Sequence, residues 1–285
     1  MSIICKFTPA AQAWFTAVYQ AIKKKQQKHN SQKMHNNYFK FLIITFLCVW
    51  LSKCQSDSVK DIDGNVYRTV TIGTQVWMAE NLKTTKYRNG DLIGTTTPAT
   101  LDIEDENTPK YQWAYDGNES NVATHGRLYT WYVATDSSNV CPTGWHVPSD
   151  AEWTTLTDYL IKNGYGYATG YNGMDIAKSL SATIGWVADD SLCSVGNDQA
   201  SNNRTGFTAL PSGARLEDGN FYNIGHIGDW WSTTEGGPAF MQGLTGIIVN
   251  VPGALFRDIY HDYCYVNSYS NNKKYGMSIR CLKDD

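Results

Sequence analysis

The stretch DIDGNVYRTVTIGTQVWMAENL, residues 61–82, alternates like a strand, turns on a glycine and alternates again. Val66, Arg68, Val70 and Ile72 interleave with Tyr67, Thr69 and Thr71, the two-residue period of a β-strand. Gly73-Thr74 supplies a tight turn in which glycine can take positive φ, and Gln75 to Met78 returns as the partner strand, with Trp77 toward the core. Before this point the chain reads differently. All 24 glycines of the 285 residues lie at Gly64 or later. Residues 1–54 carry eight lysines and no acid. The remainder holds 16 basic against 27 acidic residues, a formal charge of −11. A folded domain so acidic lacks the basic face that nucleic acid or an anionic bilayer requires.

The prefix reads as targeting. MHNNYFKFLIITFLCVWLSKC, residues 34–54, opens with a polar start bearing Lys40 and continues through twelve mostly apolar residues, 41–52. A membrane-spanning helix needs about 20 such residues, whereas a signal-peptide core is shorter. The run ends at Cys54 before the polar QSDSVKD, the layout of a lipoprotein signal in which Cys54 carries the lipid. Lys53 departs from that layout, because a small residue normally stands before the cysteine. Plain secretion and an uncleaved anchor are the other two readings. Residues 1–33 read as an over-called N-terminal extension and 55–60 as a short linker, with the folded domain at 61–285.

Export alters how cysteines are read. Cys141, Cys193, Cys264 and Cys281 lie in the exported part, and four cysteines in an oxidising compartment allow three disulfide connectivities. Buried free thiols are the alternative. No C-x-x-C occurs, so a zinc knuckle has no support.

Short strand-like runs separated by Gly, Asn and Asp dominate the domain. The clearest helix signal is CPTGWHVPSDAEWTTLTDYLIKNG, residues 141–164. Ser149 and Glu152 form a capping box, Trp153, Leu156 and Leu160 share one helical face, and Gly164 ends the helix. A second, shorter helix is expected over 174–180. A hairpin turns at 217–220, GDWWSTTE, GLTGIIVNV and GMSIRCLK read as strands, and HDYCYVNSYSNNKKYG reads as an aromatic loop.

These motifs, together with GRLYTWYVA and GFTALPSGAR, stand in an order that closely resembles the Fibrobacter succinogenes major paralogous domain, common in exported lipoproteins of Fibrobacter and Bacteroidetes. WHVPSDAEW with a C-terminal IRC is more distantly similar to the sulfatase-modifying-factor branch of the C-type lectin-like fold. The resemblance implies an α+β domain with about two helices, an irregular antiparallel sheet and termini close together. In that fold the first and last strands pair, which brings Cys281 toward Cys141 and implies Cys141–Cys281, with Cys193–Cys264 as the second pair. The family carries no activity to transfer.

The domain's histidines, His125, His146, His226 and His261, form no H-E-x-x-H or H-x-H, and His146 reads as a packing or hydrogen-bonding residue. Formylglycine-generating enzymes on the related fold use a close cysteine pair, whereas Cys264 and Cys281 are 17 residues apart. No G-x-S-x-G elbow or phosphate loop occurs. The acidic residues Asp102, Glu104, Asp105 and Glu106 read as a solvated loop rather than a calcium site, since the EF-hand pattern is absent. No cofactor is implied. The binding candidates are aromatic. In a strand Trp230 and Trp231 point to opposite faces, one inward and the other outward, unless both lie beneath loops. Tyr260, Tyr263, Tyr265 and Tyr269 form the expected exposed surface. The reading is a lipid-anchored outer-membrane protein whose non-catalytic domain binds a glycan or a cell-surface protein. A structural envelope component is the alternative, with a formylglycine-generating type of enzyme behind it.

Overall fold

The computed structural model describes residue 20 and residues 57–167, 172–242 and 248–285. The signal at 34–54, Cys54 and the prefix reading lie outside the described residues. Residues 56–285 form one compact unit. Within it, β1 (Ser58–Lys60), β2 (Val66–Ile72) and β3 (Gln75–Met78) form an antiparallel meander. Gly73 takes φ +64° at the β2–β3 turn, and a Cβ there would meet the Tyr159 ring at 2.8 Å, so both conformation and space exclude a side chain. Tyr67 and Ile72 are buried while Val66 lies outside, and Trp77 is fully buried on β3.

The middle of the domain holds β4 (Gln112–Trp113), α1 (Val122–His125), β5 (Leu128–Tyr129), α2 (Trp131–Ala134) and β6 (Trp145–His146). The main helix, α3, spans Asp150–Lys162. The Ser149 side chain accepts from the Glu152 backbone while the Glu152 carboxylate accepts from the Ser149 N–H at 2.7 Å, completing the expected capping box. Trp153, Leu156 and Leu160 are buried, each contributing about 1.5–3 kcal/mol of apolar transfer. Gly164 follows the C-cap at φ +72°. The second helix, α4 (Ala177–Leu180), is three residues shorter than its sequence pattern, and Met174 lies exposed before it.

The last third is β-rich, as expected: β7 (Ser212–Arg215), β8 (Phe221–Ile224), β9 (Ile227–Glu235), β10 (Ala239–Gln242), β11 (Ile248–Val251), β12 (Gly253–Tyr260), β13 (Asn267–Asn272), β14 (Met277–Ser278) and β15 (Leu282–Lys283). Two expectations change. The stretch read as a loop contains β13, an edge strand paired antiparallel with β12 over 267–272. Its Asn and Ser residues have low strand propensity, but backbone pairing with a long neighbour overrides that preference. The single strand expected in GMSIRCLK divides into β14 and β15, which serve different sheets. One sheet runs β1-β2-β3-β15-β6, and the larger runs β13-β12-β9-β14-β5-β4, with β7 and β8 joined to it through β9. The fold is α+β, as expected. The last strand pairs with β3 and β6, so the chain's end closes on the opening hairpin.

Two cores lie within this frame. The first gathers Tyr67, Met78, Tyr129, Trp231, Phe256 and Ile279. The second gathers Trp77, Trp153, Phe207, Trp230 and Ile259 beneath α3. Trp153 sits 4.7 Å from Trp77 and 5.9 Å from Phe207 between ring centroids, within the range of favourable aromatic pairs. Both cystine pairs implied by the resemblance are present, Cys141–Cys281 and Cys193–Cys264.

Candidate functional site: a tyrosine–aspartate basin

Strand β9 carries Asp229, Trp230 and Trp231 in succession, so Asp229 and Trp231 share one face while Trp230 takes the other. Trp230 is 1% exposed and donates its indole N–H to Asn81 Oδ1 at 2.9 Å. Trp231 is 0% exposed and donates to the Tyr129 carbonyl at 2.8 Å. The expectation of an outward tryptophan as a binding residue is therefore corrected. Each face of β9 is covered by its own core, so alternation exposes neither ring.

The residue beside them is the more telling one. In the β9–β12 pairing Asp229 stands directly opposite Asp258, and in the β12–β13 pairing Asp258 stands opposite Asn267. Directly opposite side chains on one face lie about 4.5–5.5 Å apart at Cβ, and like charges in that position destabilise a sheet. Asp229 is 3% exposed and Asp258 1%. Asn267 donates its amide to Asp258 Oδ1 at 2.7 Å. No group among the described residues donates to Asp229, and its oxygens are not sealed from solvent. Burial, then the neighbouring Asp258, holds the Asp229 carboxyl well above the usual carboxylate range. Burial also raises Asp258 to about 6, against the opposing pull of Asn267 and Arg257.

Phenols border this pair. Tyr260 lies two residues beyond Asp258 on the same strand and face, and its ring packs edge-on against Tyr263 at 5.3 Å. Tyr222 on β8, half-buried, packs against the first core. Burial and then Asp229 raise the Tyr222 phenol, while burial and then Asp258 raise that of Tyr260. Tyr275 packs against the same core as Tyr222. Tyr269, on β13 opposite Phe256, is 55% exposed, and Tyr263 is 51% exposed. Tyr265 is half-buried and is not without a partner. Of the four tyrosines expected to form an exposed surface, Tyr263 and Tyr269 are exposed, while Tyr260 and Tyr265 are half-buried. The structure adds Asp229, Asp258, Asn267 and Tyr222, which the sequence reading did not single out. The available signal was an acid inside an apolar strand, GALFRDIY, repeated in IGDWW.

Other candidates resolve otherwise. His146 lies at the β6–β15 edge rather than in the core, its Nδ1 2.7 Å from Asp284 Oδ1 and its Nε2 2.9 Å from Glu152 Oε1. Burial opposes its charge, but the two carboxylates outweigh that and raise its pKa. The His226 and His261 rings meet edge-to-face at 4.7 Å. In the acidic loop Asp102 accepts from the Glu104 N–H, and Glu106 accepts from the Tyr111 hydroxyl. Among the described residues no group of three or more His, Cys, Asp or Glu side chains could hold a metal ion. Cys264 and Cys281 are each bonded to a different cysteine, so they form no thiol pair. No helix among the described residues is long and apolar enough to cross a membrane.

Comparison with curated proteins and with solved structures gave no match. The family comparison did: the Fibrobacter succinogenes major domain matches residues 70–283. That range takes in the opening hairpin from Val70, the capped helix, the DWW strand and the closing IRC. With two disulfides that fit an exported protein, secreted or held in the envelope, the chain belongs to the Fibrobacter succinogenes major domain family.

Proposed function

We propose that this chain is an exported envelope protein, lipid-anchored through Cys54 to the outer membrane, whose domain is a non-catalytic binding module for a glycan. The basin carries that reading. Two carboxyl groups and an amide offer hydrogen-bond partners for hydroxyls, and tyrosine rings offer flat apolar faces with polar rims, the pairing of chemistries that sugars present. Such sites commonly combine an apolar lining with few, fixed polar groups. A panel of immobilised polysaccharides tests it: saturable retention should fall about tenfold or more in Asp258→Asn and in Tyr263→Ala, with thermal unfolding unchanged in the latter. Retention of no polysaccharide in the panel would sink the reading. Intact mass of protein from native membranes tests the anchor, since a chain beginning at acylated Cys54 is expected.

A second reading, an assembly component of the envelope, is favoured by exposed Ile184, Val187 and Leu192 on one irregular segment. In situ crosslinking from that segment to another envelope protein is its signature.

A further inference from the structure

Asp229 and Asp258 face one another across β9 and β12 with a single amide, that of Asn267, given to the pair. The basic side chain adjacent in sequence, Arg257, lies on the opposite face of the sheet. There it donates to Asp150, to the Thr154 hydroxyl at 3.0 Å and to the Ser268 hydroxyl at 2.5 Å. No basic group among the described residues is bonded to either basin carboxyl. The phenol of Tyr260 stands on the same face of β12 as Asp258, and Tyr222 and Tyr275 pack against the core that this face covers. The fold has thus placed two acids side by side at 3% and 1% exposure, with no donor to Asp229 among the described residues and with Arg257 attracting Asp258 only from the opposite face of the sheet.

We propose that the basin receives a primary ammonium group of its ligand. This rests on the binding-module reading above and names the chemistry that such a ligand brings. An ammonium carries three donors, enough for Asp229, Asp258 and one phenol oxygen, and tyrosine ring faces attract cations. A calcium ion suits the site less well. It takes 6–8 oxygen ligands, and the pair supplies too few side chains of the required kind. The ammonium can come from an amino sugar or from a lysine side chain; the glycan reading favours the former.

Entry of a cation has a proton consequence. The uncharged state of Asp229 is favoured by burial and by Asp258, so a bound ammonium ionises the pair and expels a proton to solvent. For a ligand amine that stays protonated, as lysine does, affinity should therefore rise as pH rises through about 6, where Asp258 titrates.

Calorimetric titration of the purified full-length protein in about 150 mM salt, which screens diffuse attraction to an acidic surface, tests the proposal. The probes are chitosan hexaose, its fully N-acetylated counterpart and a tetralysine peptide. Chitosan hexaose, titrated near pH 6 where its amines are still largely protonated, should bind about tenfold or more tighter than the acetylated oligomer and release protons, read by repeating the titration in buffers of different ionisation enthalpy. Asp229→Asn and Asp258→Asn should each remove that preference, while Asp158→Asn, on the exposed face of α3, should keep it. Either basin variant suffices if the other fails to fold. Binding of tetralysine but of neither oligosaccharide would support the ammonium site and overturn the glycan reading. Equal or tighter binding of the acetylated oligomer would overturn the ammonium site and leave the glycan reading standing. An equal loss in Asp158→Asn, or binding of none of the three probes, also overturns it.

Discussion

Asp229 and Trp230 are neighbours in sequence, yet they open onto two buried polar regions built on opposite plans. Behind Trp230 lies Arg280, fully buried, with Nε 3.2 Å and Nη2 2.6 Å from Asn81 Oδ1, Nη2 3.2 Å from the Thr208 carbonyl and Nη1 on that of Phe207. Its guanidinium lies 4.2 Å from the Phe207 ring centroid. The Asn81 amide donates in turn to the His125 carbonyl and to the hydroxyls of Ser212 and Ser278. Burial pulls the Arg280 pKa down to about 9, which still leaves it charged at neutral pH. In front of Trp230, across one peptide bond, Asp229 has a carboxyl to which no group among the described residues donates. The first region gives its cation four hydrogen bonds and joins the AENL segment to the chain between β14 and β15. The second keeps valences open. Desolvating a carboxyl that gains no donor from the protein lowers stability at that place, and strongly perturbed groups of this kind cluster at functional sites.

The contrast yields tests of graded size. Removing the Cys141–Cys281 bridge, which anchors the strand just after Arg280 and spans 140 residues, should cost about 4–5 kcal/mol in the chain-entropy account, read by denaturant unfolding with and without reductant. Arg280→Ala should cost about 3–5 kcal/mol, because it strands the carbonyls of Phe207 and Thr208 and opens a void among aromatic rings. A loss under about 1 kcal/mol would erase the distinction between the two regions.

The basin should respond in the opposite direction. Asp229→Asn is expected to raise stability at pH 7 by about 1–2 kcal/mol, since it removes the cost of keeping a buried carboxyl protonated at a pH where the unfolded chain ionises it. The pH dependence sharpens this. A carboxyl whose pKa is raised on folding contributes stability that is complete below its unfolded pKa and is lost as pH rises through the folded one. For Asp258 the window runs from about 4 to about 6, and the loss across it is about 2–3 kcal/mol. Unfolding titrations of Asp258→Asn should lose that slope. The smallest effect belongs to His146. Its raised pKa gives stability that is full below its unfolded value near 6.5 and fades as pH rises through the folded one. With the ring a third exposed, His146→Ala should change stability by under about 1 kcal/mol, with the difference confined to acidic pH.

Much of the scaffold was legible because its signals are local. The Gly73 turn, the Ser149–Glu152 box and the turn at 217–220 each depend on a few adjacent residues, and each formed where its pattern stands. Strand β13 was illegible for the complementary reason. NSYSNN has no apolar alternation, and only the presence of β12 alongside makes it a strand. The tryptophans of DWW show the limit of periodicity: alternation correctly assigns opposite faces but cannot say what covers each face.

The chain by itself determined an acidic, glycine-rich exported domain of α+β class, its capped helix and its family, because composition, caps and turns are written in contiguous residues. Tertiary structure alone decided that Asp229 meets Asp258, 29 positions later, and that Arg280 meets Asn81, 199 positions earlier. Whether a buried charge ends as a closed hub or an open basin depends on which distant donors the sheet register delivers, and register is a property of the packed whole.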